Sequence, residues 1–164
     1  TTSGQIRWTA LEGATGPMVV AGGSLFMVGD NLELVRLDAS TGKRIWGVPL
    51  PGFKENKPRR FQTVLPSYGP TLAGGRLWVA SGDKMLRAFD PATGEKVWEF
   101  QTGSGVLGSP VTWEMDGEQY VSVLSGWGGA VPLWGGEVAK RVKHLNQGGM
   151  LWTFKLPKEL VAKR

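Results

Sequence analysis

A ten-residue stretch of this chain occurs twice. Residues 37–46 read LDASTGKRIW, and residues 89–98, which lie 52 positions later, read FDPATGEKVW. The similarity extends upstream, because Gly-Pro, Ala-Gly-Gly and Gly-Asp steps precede both copies in the same order. Self-similarity at a period of about 20 to 50 residues indicates a repeat architecture. Each unit is then one block of secondary structure that buries its apolar face only against a neighbouring block.

Within a repeat the apolar residues form short runs separated by turn residues. In the second copy these runs are residues 71–73, 77–80, 85–89 and 96–100, with Gly, Asp and Pro between them. Runs this short, rich in β-branched and aromatic residues, predict four successive antiparallel strands. The sequence shows no long window of helical periodicity. Four strands per repeat of about 40 to 50 residues are typical of a β-propeller blade, so we predict an all-β fold.

Asp, Thr, Gly and Trp residues recur in the repeated stretch, and we predict structural roles for them. The Asp residue accepts hydrogen bonds from turn amides, the Thr-Gly pair turns the chain into the fourth strand, and the Trp packs one blade on the next. These residues are Asp38, Thr41, Gly42, Trp46, Asp90, Thr93, Gly94 and Trp98, together with Trp8 near the start of the chain. Stacking of the tryptophans on a ligand is the alternative, but their regular recurrence favours a structural role.

The repeats divide the chain into three blades' worth of strands within a single propeller-fragment domain. Residues 1–11 form an orphan fourth strand, residues 12–50 a first blade, residues 66–103 a second blade, and residues 106–157 a third blade that lacks its fourth strand. Open sheet edges favour aggregation, and propellers commonly have about four to eight blades. We therefore expect oligomerisation to close the ring, with residues 6–10 of one chain completing the last blade of another. A homodimer with six blades is the simplest closed form, and a trimer with nine is the alternative.

Composition excludes several classes of function. The chain has no cysteine, which rules out disulfides and thiol catalysis. It contains no segment of transmembrane length and no recognisable signal peptide, so we expect no membrane insertion. The net charge of +5 comes partly from basic clusters within residues 54–60 and 140–143, which lack the interleaved aromatic residues of a nucleic-acid surface. His144 has no carboxylate beside it and predicts no catalytic triad.

One segment departs from the blade pattern. Residues 125–136 read SGWGGAVPLWGG, in which two tryptophans stand among several glycines. Such a backbone lets a planar ligand approach between rigid aromatic faces. The alternative is a glycine-rich loop whose tryptophans cover the end of a blade, and composition does not decide between the two.

The two halves of the chain resemble two families that share this repeat. Residues 84–160 resemble the C-terminal end of quinoprotein alcohol dehydrogenases, which use pyrroloquinoline quinone (PQQ) and include the lanthanide-dependent methanol dehydrogenases. The similar stretches are residues 100–113, 116–120 and 125–137. Residues 1–83 resemble BamB, the outer-membrane assembly lipoprotein, at residues 31–42 and 68–78. A chain divided in this way is predicted to be a chimera, engineered or recombined, and both families imply a periplasmic location.

The resemblance to the dehydrogenases also implies site residues. In that family eight blades surround a central cofactor, and the resemblance places Gly126 and Trp127 near the cofactor pocket and Leu133 and Trp134 in the wall of the substrate chamber. The family's catalytic Asp, metal ligands and cysteine pair lie in blades that have no counterpart here. We therefore predict no catalytic residue, no metal ligand and no cofactor, with PQQ possible by resemblance.

Two hypotheses about function follow. The first is a non-catalytic propeller module that assembles with itself into a ring. The second is a C-terminal fragment of a PQQ-dependent alcohol or methanol dehydrogenase that keeps part of the quinone pocket.

Overall fold

The computed structural model describes residues 4–14, 16–52, 65–126 and 149–161. Within these ranges the chain forms three antiparallel sheets. The first contains β1 (Val19–Ala21), β2 (Ser24–Val28), β3 (Glu33–Asp38) and β4 (Arg44–Pro49). The second contains β5 (Ser67–Ala73), β6 (Arg76–Ser81), β7 (Met85–Phe89) and β8 (Lys96–Gln101). The third contains β9 (Val111–Met115), β10 (Glu118–Ser125) and β11 (Met150–Lys155).

Within each sheet, strands that are consecutive in the chain pair with each other, so each sheet is an up-and-down β-propeller blade. We call the three sheets blade 1, blade 2 and blade 3. Blades 1 and 2 have four strands each, and blade 3 has three described strands in the order β11-β10-β9. The prediction of an all-β fold built from antiparallel propeller blades is confirmed.

A tight hairpin opens each of the three blades. In blade 1, Ala21 pairs with Ser24, which leaves Gly22 and Gly23 as a two-residue turn with φ of 53° and 71°. Two consecutive residues with positive φ form the turn whose twist matches that of the flanking strands, and glycine adopts this conformation at little cost. Glycine pairs at this position therefore set the register of the first two strands in blades 1 and 2.

The blades stack face to face, and alternate residues of each strand form the core between them. The core between blades 1 and 2 includes the buried residues Phe26, Val28, Leu34, Leu50, Leu77, Val79 and Phe89. The core between blades 2 and 3 includes the buried residues Ala73, Trp78, Ala80, Leu86, Ala88, Val106, Val121, Val123 and Leu156. Because side chains alternate across a strand, blade 2 presents one set of residues to each neighbour.

The start of the chain differs from its prediction. Residues 6–10, which we predicted as an orphan fourth strand, lie outside every described strand. A strand is stable only when its backbone groups pair with a neighbouring strand, and none of the described strands pairs with this segment. The segment instead packs on the outer face of blade 1, where Ala10 contacts the buried cluster of Met27, Val35 and Leu37.

The end of the described chain also adds an element that the sequence did not predict. A short helix, α1 (Lys158–Val161), follows β11 and Leu156. Four residues are too few for a period of apolar residues to be recognised in the sequence.

Candidate functional site

Asp38 and Asp90 hold the turns that lead into the fourth strands. Asp38 Oδ1 accepts hydrogen bonds from the amides of Ser40 and Thr41, at 3.0 and 2.8 Å, and from both of their hydroxyl groups. Asp90 Oδ1 accepts hydrogen bonds from the amides of Ala92 and Thr93, at 2.8 and 3.2 Å. Each carboxylate therefore satisfies backbone donors that the turn leaves free.

The threonines and glycines complete the same turns. Thr41 Oγ1 accepts a hydrogen bond from the amide of Lys43 at 3.3 Å, and Thr93 Oγ1 accepts one from the amide of Glu95 at 3.2 Å. Gly42 and Gly94 have φ of 71° and 76°, a conformation that L side chains rarely adopt. The Thr-Gly pair thus reverses the chain while both backbone and hydroxyl groups stay bonded.

These glycines also receive the tryptophan of the preceding repeat. A Cβ atom placed on Gly42 would lie 2.5 Å from Cε3 of Trp8, and one placed on Gly94 would lie 3.1 Å from Cε3 of Trp46. Both indole rings therefore rest on a glycine of the next blade. We call this contact a tryptophan–glycine dock, and the described residues form two of them, Trp8 on Gly42 and Trp46 on Gly94.

The two docks differ in what they do with the indole N–H group. Trp8 Nε1 donates to the carbonyl oxygen of Ala39 at 3.1 Å. The equivalent carbonyl in blade 2, that of Pro91, accepts a hydrogen bond from the Arg36 guanidinium at 3.2 Å instead. The N–H of Trp46 is buried and has no acceptor among the described residues. Arg36 therefore makes the hydrogen bond from blade 1 to blade 2, while the Trp46 ring makes the packing contact on Gly94.

Trp98 has no such dock among the described residues. Its ring lies in an aromatic cluster with Trp78, Phe100 and Phe154, at centroid distances of 5.3 to 6.1 Å. The ring is nevertheless 37% exposed. It borders a cavity of about 430 Å³ between β8 and the end of β11. We call this cavity the edge groove, and its lining includes Val97, Trp98, Phe154, Leu156 and Pro157.

The segment of residues 125–136, in which two tryptophans stand among several glycines, begins at an anchored position. The amide of Gly126 donates to the carbonyl oxygen of Gly105 at 3.0 Å. The preceding residue, Ser125, donates from its hydroxyl group to the carbonyl oxygen of Thr102 at 3.3 Å. Trp152 Nε1 donates to that same carbonyl and to Ser125 Oγ, at 3.3 and 3.1 Å. The backbone is therefore held in a fixed position at Gly126, directly before Trp127 in the sequence.

Sequence reasoning missed two of these residues. Trp152 and Arg36 stand at positions of the third strand where blade 2 has Arg87 and Ala88. Each departs from the repeat, and that departure was the signal available in the sequence.

Three of the residues implied by the dehydrogenase resemblance lie outside the described residues. These are Trp127, Leu133 and Trp134, and the basic clusters and His144 lie outside them as well. Gly126 is the one implied pocket residue within the described ranges, and its amide is already bonded to Gly105.

A second cavity of about 600 Å³ lies where the first hairpins of the three blades meet. Its lining is mostly apolar, with Phe26 and Leu72, and its polar groups include Arg36 and Gln119. Both polar side chains bind the protein itself, since Gln119 Oε1 accepts a hydrogen bond from the amide of Gly74 at 3.0 Å. The cavity is therefore a gap within the contact between the blades, and we assign no ligand to it.

The described residues contain no group of three or more His, Cys, Asp or Glu side chains that could hold a metal ion. Likewise, within the part of the chain that the structure describes, no helix has the length and apolar character needed to cross a membrane.

The pKa of Asp38 is lowered from 3.8 to about 2, chiefly because the hydroxyl groups of Ser40 and Thr41 donate hydrogen bonds to its ionised form. A carboxyl group with a lowered pKa in the folded state stabilises the fold above the unfolded pKa, and this contribution is lost as the pH falls through the folded pKa. We expect the free energy of unfolding to decrease between about pH 4 and pH 2 in part for this reason.

Replacing Asp38 by Asn tests this dependence, because the amide keeps one oxygen acceptor but does not titrate. In urea unfolding at pH 5, 4, 3 and 2, Asp38→Asn should lose less stability over the acid range than the unmodified chain. Parallel acid profiles for the two proteins would contradict the role given to the Asp38 carboxylate.

Comparison with known families identifies the chain. The family model described as outer membrane protein assembly factor BamB matches residues 1–142. The chain belongs to this family. Its repeat is thus the BamB-family repeat, in agreement with the resemblance of residues 1–83, and the match also extends across most of the part that resembles the dehydrogenases.

The curated relatives are quinoprotein dehydrogenases. Quinoprotein alcohol dehydrogenase PedH of Pseudomonas putida is 60% identical over 126 residues, which is 76% of this chain and 19% of PedH. 1-Butanol dehydrogenase (quinone) of Thauera butanivorans is 59% identical over 88 residues, 54% of this chain and 14% of that protein. The chain thus spans about a fifth, or less, of the length of these relatives.

Solved structures of both families are also similar to this BamB-family chain. BamB from Moraxella catarrhalis is 18% identical with a TM-score of 0.48, covering 71% of this chain and 32% of that one. Quinohemoprotein alcohol dehydrogenase from Comamonas testosteroni is 30% identical with a TM-score of 0.46, covering 82% of this chain and 17% of that one.

These relatives favour the second of the two functional hypotheses, a fragment of a PQQ-dependent alcohol dehydrogenase, over an engineered module. An alignment of 126 residues within a chain of 164 must include both sides of residue 84. One dehydrogenase is therefore similar to both halves, and the chimera stays a prediction that the relatives do not support.

Proposed function

We propose that this chain is a propeller segment of a PQQ-dependent alcohol dehydrogenase and that it contributes one wall of the quinone pocket. The observation that carries the proposal is the 60% identity to PedH over 126 residues. Identity at this level, across blades rather than across one short motif, supports descent from the dehydrogenase propeller. The activity itself belongs to the longer relatives, of which this chain spans about a fifth.

The anchored base of the loop supports the proposed role of residues 126–136. Gly126, Ser125 and Trp152 fix the point at which the loop leaves blade 3. A binding loop that starts from a fixed point loses less conformational entropy when a ligand binds. Trp127 follows directly, and in this proposal its flat ring packs against the planar quinone.

The described residues do not by themselves fit PQQ. This cofactor is a planar tricarboxylate, and a complete site needs cationic groups as well as a flat apolar face. The groups that hold the base of the loop, on Thr102, Gly105, Ser125 and Trp152, are all neutral. A general base and a metal ion each contribute orders of magnitude to the rate of such a reaction. We therefore assign this chain a binding contribution and no step of alcohol oxidation.

We also place the chain in the periplasm. The description of its family refers to outer-membrane protein assembly, which supports this compartment. The chain contains no cysteine, so it would form no incorrect disulfide in an oxidising compartment.

The proposal predicts weak quinone binding without turnover. We expect the chain to bind PQQ in the presence of Ca²⁺ or La³⁺, measured as quenching of tryptophan fluorescence, and to show no dye-linked oxidation of methanol, ethanol or 1-butanol. Trp127→Ala should weaken binding about tenfold, as expected for the loss of one stacked aromatic face.

Trp113→Ala is the matched control. Trp113 is a partly exposed tryptophan on the far face of blade 3, where it stacks on Tyr120 at 4.4 Å. Its replacement should leave the PQQ affinity unchanged. Equal affinities in all three proteins would contradict the pocket role of the loop. Metal- and PQQ-dependent alcohol oxidation that Trp127→Ala abolishes would show that the chain is an enzyme by itself.

A further inference from the structure

The junction between blades 2 and 3 contains a buried polar residue that the repeat does not require. Thr102 directly follows β8 and is 2% exposed, and its amide donates to the carbonyl oxygen of Lys84 at 2.8 Å. In blade 1 the equivalent hydrogen bond joins the amide of Leu50 to the carbonyl oxygen of Leu32, and Leu50 belongs to the apolar core. An apolar side chain therefore suffices at this position of the repeat. Burial of a hydroxyl group there costs free energy unless the group is bonded.

The hydroxyl group of Thr102 is bonded on the side of blade 2. It donates to the carbonyl oxygens of Lys84 and Ser104, which lie 3.0 and 2.7 Å away. Lys84 belongs to the turn between β6 and β7. The hydroxyl group therefore ties residues 102–105, which lead from β8 toward blade 3, to that turn of blade 2.

The carbonyl groups of the same segment accept hydrogen bonds from blade 3. The carbonyl oxygen of Thr102 accepts from Ser125 Oγ and from Trp152 Nε1, both at 3.3 Å. The carbonyl oxygen of Gly105 accepts from the amide of Gly126 at 3.0 Å. Thr102 therefore stands between the β6–β7 turn of blade 2 and the two residues with which residues 125–136 begin.

The junction between blades 1 and 2 has no such connection at the same positions among the described residues. The positions of Thr102, Ser125 and Trp152 correspond there to Leu50, Ser81 and Arg87. Ser81 bonds to Ser67 and Arg87 bonds to Asp83, so both side chains find their partners within blade 2. The polar network is thus particular to the junction that carries the base of residues 125–136.

A buried polar network whose members are all bonded makes its surroundings rigid. We propose that Thr102 is a positioning residue for the quinone-binding segment, because its hydroxyl group holds residues 102–105 where their carbonyl groups fix Ser125 and Gly126. This inference rests on the proposed function, in which Trp127, the next residue in the sequence, packs against the quinone. The quinone affinity then depends on a side chain that belongs to blade 2.

Hydrogen exchange of the Gly126 amide, followed by NMR without quinone, tests the positioning directly. Thr102→Val removes the hydroxyl group and keeps the shape of the side chain, and we expect it to speed this exchange about tenfold. Thr102→Ser, which keeps a hydroxyl group, should stay near the unmodified chain. The Leu50 amide, with the equivalent hydrogen bond in blade 1, is the internal reference, because a general loss of stability would speed both amides.

Thr71→Val is the matched control. Thr71 lies in β5, and its hydroxyl group also donates to a carbonyl oxygen outside blade 2, that of Pro110 directly before β9. Its replacement removes a hydrogen bond of the same kind but none of those that reach Ser125 or Gly126. The exchange of the Gly126 amide relative to that of Leu50 should therefore stay as in the unmodified chain.

The affinity for PQQ gives the second readout. In the presence of Ca²⁺, with quenching of tryptophan fluorescence as the signal, Thr102→Val should weaken PQQ binding about fivefold, the effect of one lost hydrogen bond. Thr102→Ser should restore most of the affinity, and Thr71→Val should leave it unchanged.

Two exchange results would overturn the proposal, namely an unchanged rate at Gly126 in Thr102→Val and an equal acceleration at Gly126 and Leu50. Faster exchange at Gly126 with unchanged PQQ affinity would overturn it as well, since Thr102 would then hold the junction without positioning the quinone-binding segment. A chain that binds no PQQ would contradict the proposed function itself. The exchange rates would then decide by themselves whether Thr102 positions Gly126.

Discussion

Trp46→Ala should lower the free energy of unfolding by about 3 kcal/mol, toward the lower end of the range for removal of a large core aromatic ring. The Trp46 ring rests on Gly94, and its centroid lies 6.1 Å from that of Phe26. Its removal leaves a cavity between blades 1 and 2 that neither backbone can fill. Urea unfolding, followed by circular dichroism, measures this loss.

Trp98→Ala is the natural comparison, and the structure changes what we expect from it. The sequence predicts equal costs for the two tryptophans, because they occupy the same position in the repeat. Trp98 is 37% exposed, so its truncation should cost about 1–2 kcal/mol in the isolated chain. A Trp46 variant as stable as the unmodified chain would refute the packing role of the dock.

Gly94→Ala should be strongly destabilising, although it adds only one methyl group. Gly94 has a φ of 76°, which costs an L residue about 1–2 kcal/mol. The added Cβ atom would also lie 2.7 Å from Cγ2 of Val48, and overpacking of this kind costs about 1–3 kcal/mol. Together these effects predict a loss of about 3 kcal/mol in the free energy of unfolding.

Gly103→Ala separates the two contributions. Gly103 has a φ of 79°, but a methyl group added to it would meet no atom within 4 Å, so only the backbone contribution applies. We expect a loss of about 1 kcal/mol in the same unfolding experiment. If both substitutions cost the same amount, then the contact between Gly94 and blade 1 contributes nothing to stability.

The repeat was sufficient to predict the blades, because local chemistry dictates most of a blade. Glycine pairs such as Gly74 and Gly75 favour two-residue hairpin turns whatever surrounds them. Alternating apolar residues fix which side of each strand is buried, and Asp90 binds amides only two and three residues away. These interactions join residues that are close to each other in the chain, so they can be predicted from the sequence alone.

The candidate site was less accessible to sequence reasoning, because its contacts join residues far apart in the chain. Trp152 binds Ser125 and Thr102, and neither partner is near it in sequence. Arg36 binds the carbonyl groups of Pro91 and Ala92 in the next blade. A polar side chain in a third strand signals such a contact, but the partner depends on how two blades are placed.

The sequence by itself determined the repeat, the strands, the Asp-Thr-Gly turns and the docking residues of this protein. The tertiary structure decided which of those residues have a partner. Trp8, Trp46 and Trp98 belong to one motif, yet the first donates a hydrogen bond, the second buries its N–H group without an acceptor among the described residues, and the third remains partly exposed. The physical reason is that a dock needs a glycine of the next blade beside the indole ring, and the described part of blade 3 places no glycine beside Trp98.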